Sequence, residues 1–137
     1  MLTRSEVFAF AKKATRGAGF TWGMAEEAAT ATLALYIAGY DGFSELTLIL
    51  VNADGKNQPF SITDTIPCGL TLGTYLADSG KKAGTEKVIG HYIFQALCGT
   101  LDKNKPNFPD DAPQIIKDFA YRTYVPDSEE SRLHGAG

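Results

Sequence analysis

The run from Ala25 to Ala38 holds six alanines and is closed by Gly39. Alanine is the strongest helix former, because it loses no side-chain entropy and buries no polar group. Met24, Ala28, Ala31 and Leu35 fall on one stripe, with Leu33 and Ile37 beside it. Small side chains let neighbouring helices approach closely, so this helix is predicted to sit at the centre of the molecule. Thr21 is the expected N-cap, and Glu26 and Glu27 follow in the early turns, where negative charge suits the helix dipole.

The segment before it reads as a helix of roughly three turns. Thr3 and Glu6 stand at the spacing of a capping box. Val7, Phe10, Ala11 and Ala14 then share a face, Lys12, Lys13 and Arg16 lie towards the carbonyl end, and Gly17 and Gly19 are expected to stop it.

Further along, ELTLILV at residues 45 to 51 is rich in leucine and β-branched residues, the composition of a buried strand. Asn52-Ala53-Asp54-Gly55 is a turn signal, and Phe60 and Ile62 alternate with polar residues after it. These features predict a β-hairpin over about 45 to 63, closed by Pro67. Leu70 to Ala77 reads as a short helix closed by Ser79-Gly80. Residues 85 to 98 repeat as a helix, although Gly90 and the β-branched residues dissent. A proline-punctuated loop spans 102 to 113, and a last helix runs from about Pro113 to Tyr121 with Ile115, Ile116 and Phe119 on its apolar face. The expected class is therefore α+β: one mostly helical domain over residues 1–137 with one β-hairpin or small antiparallel sheet, and a tail from about residue 127.

A chain of 137 residues is long enough to bury a core without disulfides or metals. Its net charge of -3 argues against nucleic acid, which calls for a basic excess. No apolar run approaches the length of a membrane span, and the start lacks the apolar core of a signal peptide, so a cytoplasmic location is expected. Cys68 and Cys98 stand 30 positions apart with no histidine at ligand spacing, so they read as free thiols rather than a zinc site. Asp102-Lys103-Asn104 begins like a calcium loop but lacks its glycine and closing glutamate. No metal and no cofactor are called for.

Chemistry concentrates at the two ends. Residues 12 to 29, KKATRGAGFTWGMAEEAA, place Gly17-Ala18-Gly19 between two helices, with Arg16 alongside and the N-terminus of the second helix opening onto the turn. Free N–H groups, the positive end of the dipole and a guanidinium favour an anion there. The glycines are not a dinucleotide fingerprint, because a helix precedes them and Trp22 occupies the sixth position. Trp22 is the single tryptophan and reads as a packing anchor or as a pocket wall. Residues 122 to 137, RTYVPDSEESRLHGAG, add Arg122, Tyr124 and Arg132, and arginine suits fork-like recognition of carboxylates or phosphates. His91 and His134 are isolated, and no nucleophile–base–acid set can be assembled from them.

These two segments resemble the opening and closing motifs of a bacterial family catalogued only as a domain of unknown function. Its members begin with a helix, an Ala-Arg-Gly-Ala-Gly-like turn and Trp-Gly-Leu-Ala-Glu-Glu-Ala, and end with Arg-Thr-Tyr-Val-Pro, Ser-Arg and Gly-Ala-Gly. About 35 residues carry the likeness; roughly 40 to 110 diverge. The resemblance implies no activity. The order helix, glycine turn, alanine-rich helix is also similar to the first helices of the malate/lactate dehydrogenase type that lacks a Rossmann fold. The histidine that family carries is absent from Asp41-Gly42-Phe43-Ser44, so dehydrogenase activity is not expected.

The residues thus point to a non-catalytic module binding a small anion or a protein partner through Arg16, Trp22, Glu26, Arg122, Tyr124 and Arg132. Two other readings stand beside it. One is a structural or assembly subunit, with the alanine-rich helix as a homodimer seam. The other is a small enzyme using Glu26 or Glu27 as acid or base and an arginine to hold an anionic substrate.

Overall fold

A computed structural model describes residues 2–54, 68–80, 87–101 and 111–123. Among these residues the chain forms six helices: α1 (Arg4–Gly17), α2 (Trp22–Ile37), α3 (Gly42–Ala53), α4 (Gly69–Ser79), α5 (His91–Cys98) and α6 (Gln114–Tyr121). No strand occurs among the described residues; one isolated parallel bridge joins Cys68 to Ile89. The expected α+β class is overturned, and the fold is helical.

The correction falls on residues 45 to 51, which lie inside α3 rather than in a hairpin strand. The second half of the expected hairpin, 58 to 63, lies outside the described residues. Leucine-rich runs of this length do not distinguish strand from buried helix by composition. Two features select the helix. Asp41 caps it, its carboxylate accepting from the Ser44 backbone N–H at 3.1 Å and from the Ser44 hydroxyl. The helical period also buries Phe43, Leu46, Ile49, Leu50 and Ala53 together. Each large side chain among them stabilises by roughly 1.5–3 kcal/mol when fully buried. The whole β-propensity scale spans only about 1 kcal/mol per residue. Thr47 fits the helix by donating its hydroxyl to the Phe43 carbonyl at 2.7 Å.

The alanine-rich helix is central, as its composition predicts. Ala25, Ala28, Ala29 and Ala31 are buried, and α2 packs against α1, α3, α4 and α5. Its N-cap is Thr21, whose hydroxyl accepts from the Met24 N–H, and α1 carries the expected capping box between Thr3 and Glu6. Tyr36 donates to the Leu2 carbonyl at 2.7 Å and ties the start of the chain to α2.

The remaining helices flank this pair. α6 lies along α1, and α4 pairs with α5. Gly17 belongs to the last turn of α1 and permits the α1–α6 approach: a Cβ there would stand 1.9 Å from the Phe119 carbonyl oxygen. Gly69 and Gly73 play the same part in α4, where a Cβ would meet the Gly90 carbonyl at 2.5 Å and the Leu97 side chain at 2.9 Å. Pro113 is the N-cap of α6 rather than its first helical residue.

Candidate functional site

The α1–α2 turn brings together three of the sequence-selected residues. Arg16 bends back to donate to the Phe20 carbonyl at 3.0 Å, closing the C-terminal end of α1. Its guanidinium lies 5.5 Å from the centre of the Trp22 ring, and the Lys12 ammonium lies 5.7 Å from it. Lys12 also pairs with Glu26 at 3.2 Å. Trp22 is 49% exposed. It is therefore less a core anchor than a platform on which two cations rest.

This arrangement leaves little for an anion. Arg16 is engaged with a carbonyl and a ring, and Lys12 with a carboxylate and the same ring. At the start of α2 the Met24 N–H already donates to Thr21. Glu26 faces Lys12, with its side chain 62% exposed. Glu27, one position along, points to a different side of the helix, so the two carboxylates do not form a dyad.

Arg122 lies at the C-cap of α6, beside the end of α1. It forks onto Asp54 at 2.6 and 3.3 Å, and one of its nitrogens stands 3.5 Å from the Gly17 carbonyl. Its guanidinium also covers the Phe119 ring at 4.7 Å. The hydrogen bonds to Asp54 hold the guanidinium even more firmly charged than usual. The carbonyl ends of α1 and α3 and one carboxylate converge here, and Arg122 neutralises them. Arg122 thus meets the last residue of α1, where the first interhelical turn begins. Tyr124 and Arg132 lie outside the described residues.

Next to this joint runs a groove of ≈290 Å³ between α3 and α6, lined by Val51, Asp54, Ile115, Asp118, Phe119 and Arg122. Leu48, Val51 and Ile115 are 53%, 50% and 37% exposed on the same two helices. A second groove, of ≈570 Å³, is lined by Ala34, Ile37, Ala38, Ala96, Gly99 and Leu101 where α2 and α5 end.

Glu45 is a residue the sequence reading passed over. It is a lone carboxylate in an apolar run, and that isolation was the available signal. On α3 it is half-buried at the start of α5, where the Tyr92 backbone N–H faces it. Burial pushes its carboxyl above the ordinary value of 4.5; Asp41 adds to the shift, while the Tyr92 N–H and His91 oppose it.

Among the described residues no group of three or more histidines, cysteines or carboxylates could hold a metal ion. No described helix is long and apolar enough to cross a membrane. Cys68 is buried and Cys98 partly so, and both are free of disulfides.

The class defined by the described residues is a small helical protein in which Arg16, Asp41 and Arg122 brace helix ends. Within that class, residues 2–67, just under half of the chain, match the family described as "Protein of unknown function (DUF3726)". The opening motif at 12 to 29 falls inside the match, and the closing motif at 122 to 137 falls outside it. No curated protein and no solved structure matches the chain.

Proposed function

We propose that this protein is a non-catalytic binding module that docks a protein partner on the face shared by α3 and α6. The observation that carries the reading is the exposure of Leu48, Val51 and Ile115 beside a groove rimmed by Asp54, Asp118 and Arg122. An apolar centre with a polar, arginine-containing rim is the usual composition of an interface. The anion alternative has less support, because Arg16, Lys12 and Arg122 already face carbonyls, carboxylates or rings of the same chain.

The assembly reading keeps one favourable observation. The buried alanines of α2 are used inside the molecule, but Ile37 is 54% exposed beside the apolar groove at the helix's end. A second copy docking there would bury that end.

Site-specific photocrosslinking in the native cell tests both. A photoreactive residue at Val51 is expected to yield one discrete adduct that a residue at exposed Thr30 does not, and Ile115→Glu is expected to abolish it. Adducts from both positions alike, or from neither, would remove the partner reading. An adduct of twice the chain's mass from Ile37, with none from Val51, would transfer the assignment to self-assembly.

A further inference from the structure

The start of α5 lacks any cap of its own. Its N-cap is Gly90, which has φ 79° and no side chain to offer the free N–H groups of the first turn. α3 presses directly on this point: a Cβ at Gly90 would lie 2.4 Å from the Ile49 Cδ1 and 3.7 Å from the Glu45 carbonyl. The Glu45 side chain reaches the same place, facing the Tyr92 N–H. Its Oε2 is buried and has no hydrogen-bond partner.

Rings pack around Tyr92 at the same helix start. Tyr40, from the α2–α3 turn, packs on Tyr92 with centroids 4.9 Å apart, and His91 meets Tyr92 edge-on at 5.4 Å. Among the described residues the charged groups acting on the Glu45 carboxyl are His91, from α5, and Asp41, at the start of α3 itself. Neither places a hydrogen-bond donor on Oε2.

We propose that Glu45 is a protonation-responsive tertiary cap: one oxygen supplies the helix-capping acceptor that α5 lacks, while the buried second oxygen makes the α3–α5 joint sensitive to a proton. Deprotonated, the carboxylate satisfies the first turn of α5 but keeps a charge half out of water. Protonated, it relieves that desolvation, since a neutral carboxyl is far cheaper to bury than a carboxylate. The balance of these opposing effects sets how tightly α5 is held, and α5 forms one wall of the apolar groove at the ends of α2 and α5.

The test is a carbon-detected NMR titration of the Glu45 carboxyl in the full chain, with the Tyr92 amide followed in parallel. The carboxyl midpoint is expected above 4.5, and the Tyr92 amide is expected to move with the same midpoint. In Glu45→Gln that amide movement is expected to vanish. A carboxyl midpoint at or below 4.5, or a Tyr92 amide that ignores it, would overturn the proposal. The wild-type titration decides the question by itself if the variant does not fold.

Discussion

Gly17 and Arg122 occupy one joint, yet they hold it by different physics. Arg122 and Asp54 are 50% and 38% exposed, so solvent screens their attraction. Arg122→Ala is expected to cost under about 1 kcal/mol in urea denaturation. Gly17→Ala inserts a methyl group 1.9 Å from a backbone oxygen that no rotamer change can move. Its expected cost is about 2–3 kcal/mol or more, the scale of overpacking. If the arginine substitution proves the costlier of the two, the backbone approach is not what holds α6 to α1. Gly17 stood out in the sequence as a helix stop; its second role required a partner 102 positions away, and local pattern carries no such information. Arg16 and Trp22 were visible as recognition residues, but their neighbours decided that the guanidinium rests on a ring and a carbonyl.

At the scale of the element, α3 is the instructive case. Its leucines alternate at positions 46, 48 and 50, so a strand would place all three on one face. The helix separates them, burying Leu46 and Leu50 and exposing Leu48. Leu46→Ala is therefore expected to destabilise by about 2–5 kcal/mol. Leu48→Ala is expected to stay within about 0.5 kcal/mol of wild type. Equal losses at the two positions would contradict the helix. Phe43, Leu46, Leu50 and Ala53 are in fact spaced for a helix, and Asp41 with Ser44 is a legible cap. The β-rich composition and the turn signal at Asn52 to Gly55 outweighed them because neither reports what the rest of the chain will pack against. α1 and α2, by contrast, could be read almost residue by residue, since caps, alanine content and closing glycines are local causes. α4 and α6 were legible in place, but their first turns carry no side-chain cap and Pro113 stands at the N-cap of α6. The interior of α5 was legible by period, but its start at His91 was not, because Gly90 at φ 79° offers no side-chain cap and α3 packs against it.

For the whole molecule, pH acts through carboxylates with opposite signs. Lys117 and the Ala112 N–H hold Asp111 below its ordinary value of 3.8. A depressed pKa contributes stability that is present above 3.8 and is lost as pH falls through the folded-state value. Asp111→Asn is thus expected to melt below wild type at neutral pH, with the gap closing in strong acid; a gap that persists there would show that the contribution is not electrostatic. Glu45 runs the other way. Its raised pKa favours the folded state below 4.5, and that advantage disappears as pH rises through the folded-state value.

The sequence by itself determined the caps at Thr3 and Thr21 and that an alanine helix lies at the centre, and it carries no zinc, calcium or dinucleotide motif. These follow from residues within a few positions of one another. Only the tertiary structure decided that residues 45 to 51 are helical, that Arg122 locks onto Asp54 and the end of α1, and that an oxygen of Glu45 is buried without a partner. Each depends on groups brought together from distant parts of the chain, where burial and close approach outweigh local preference.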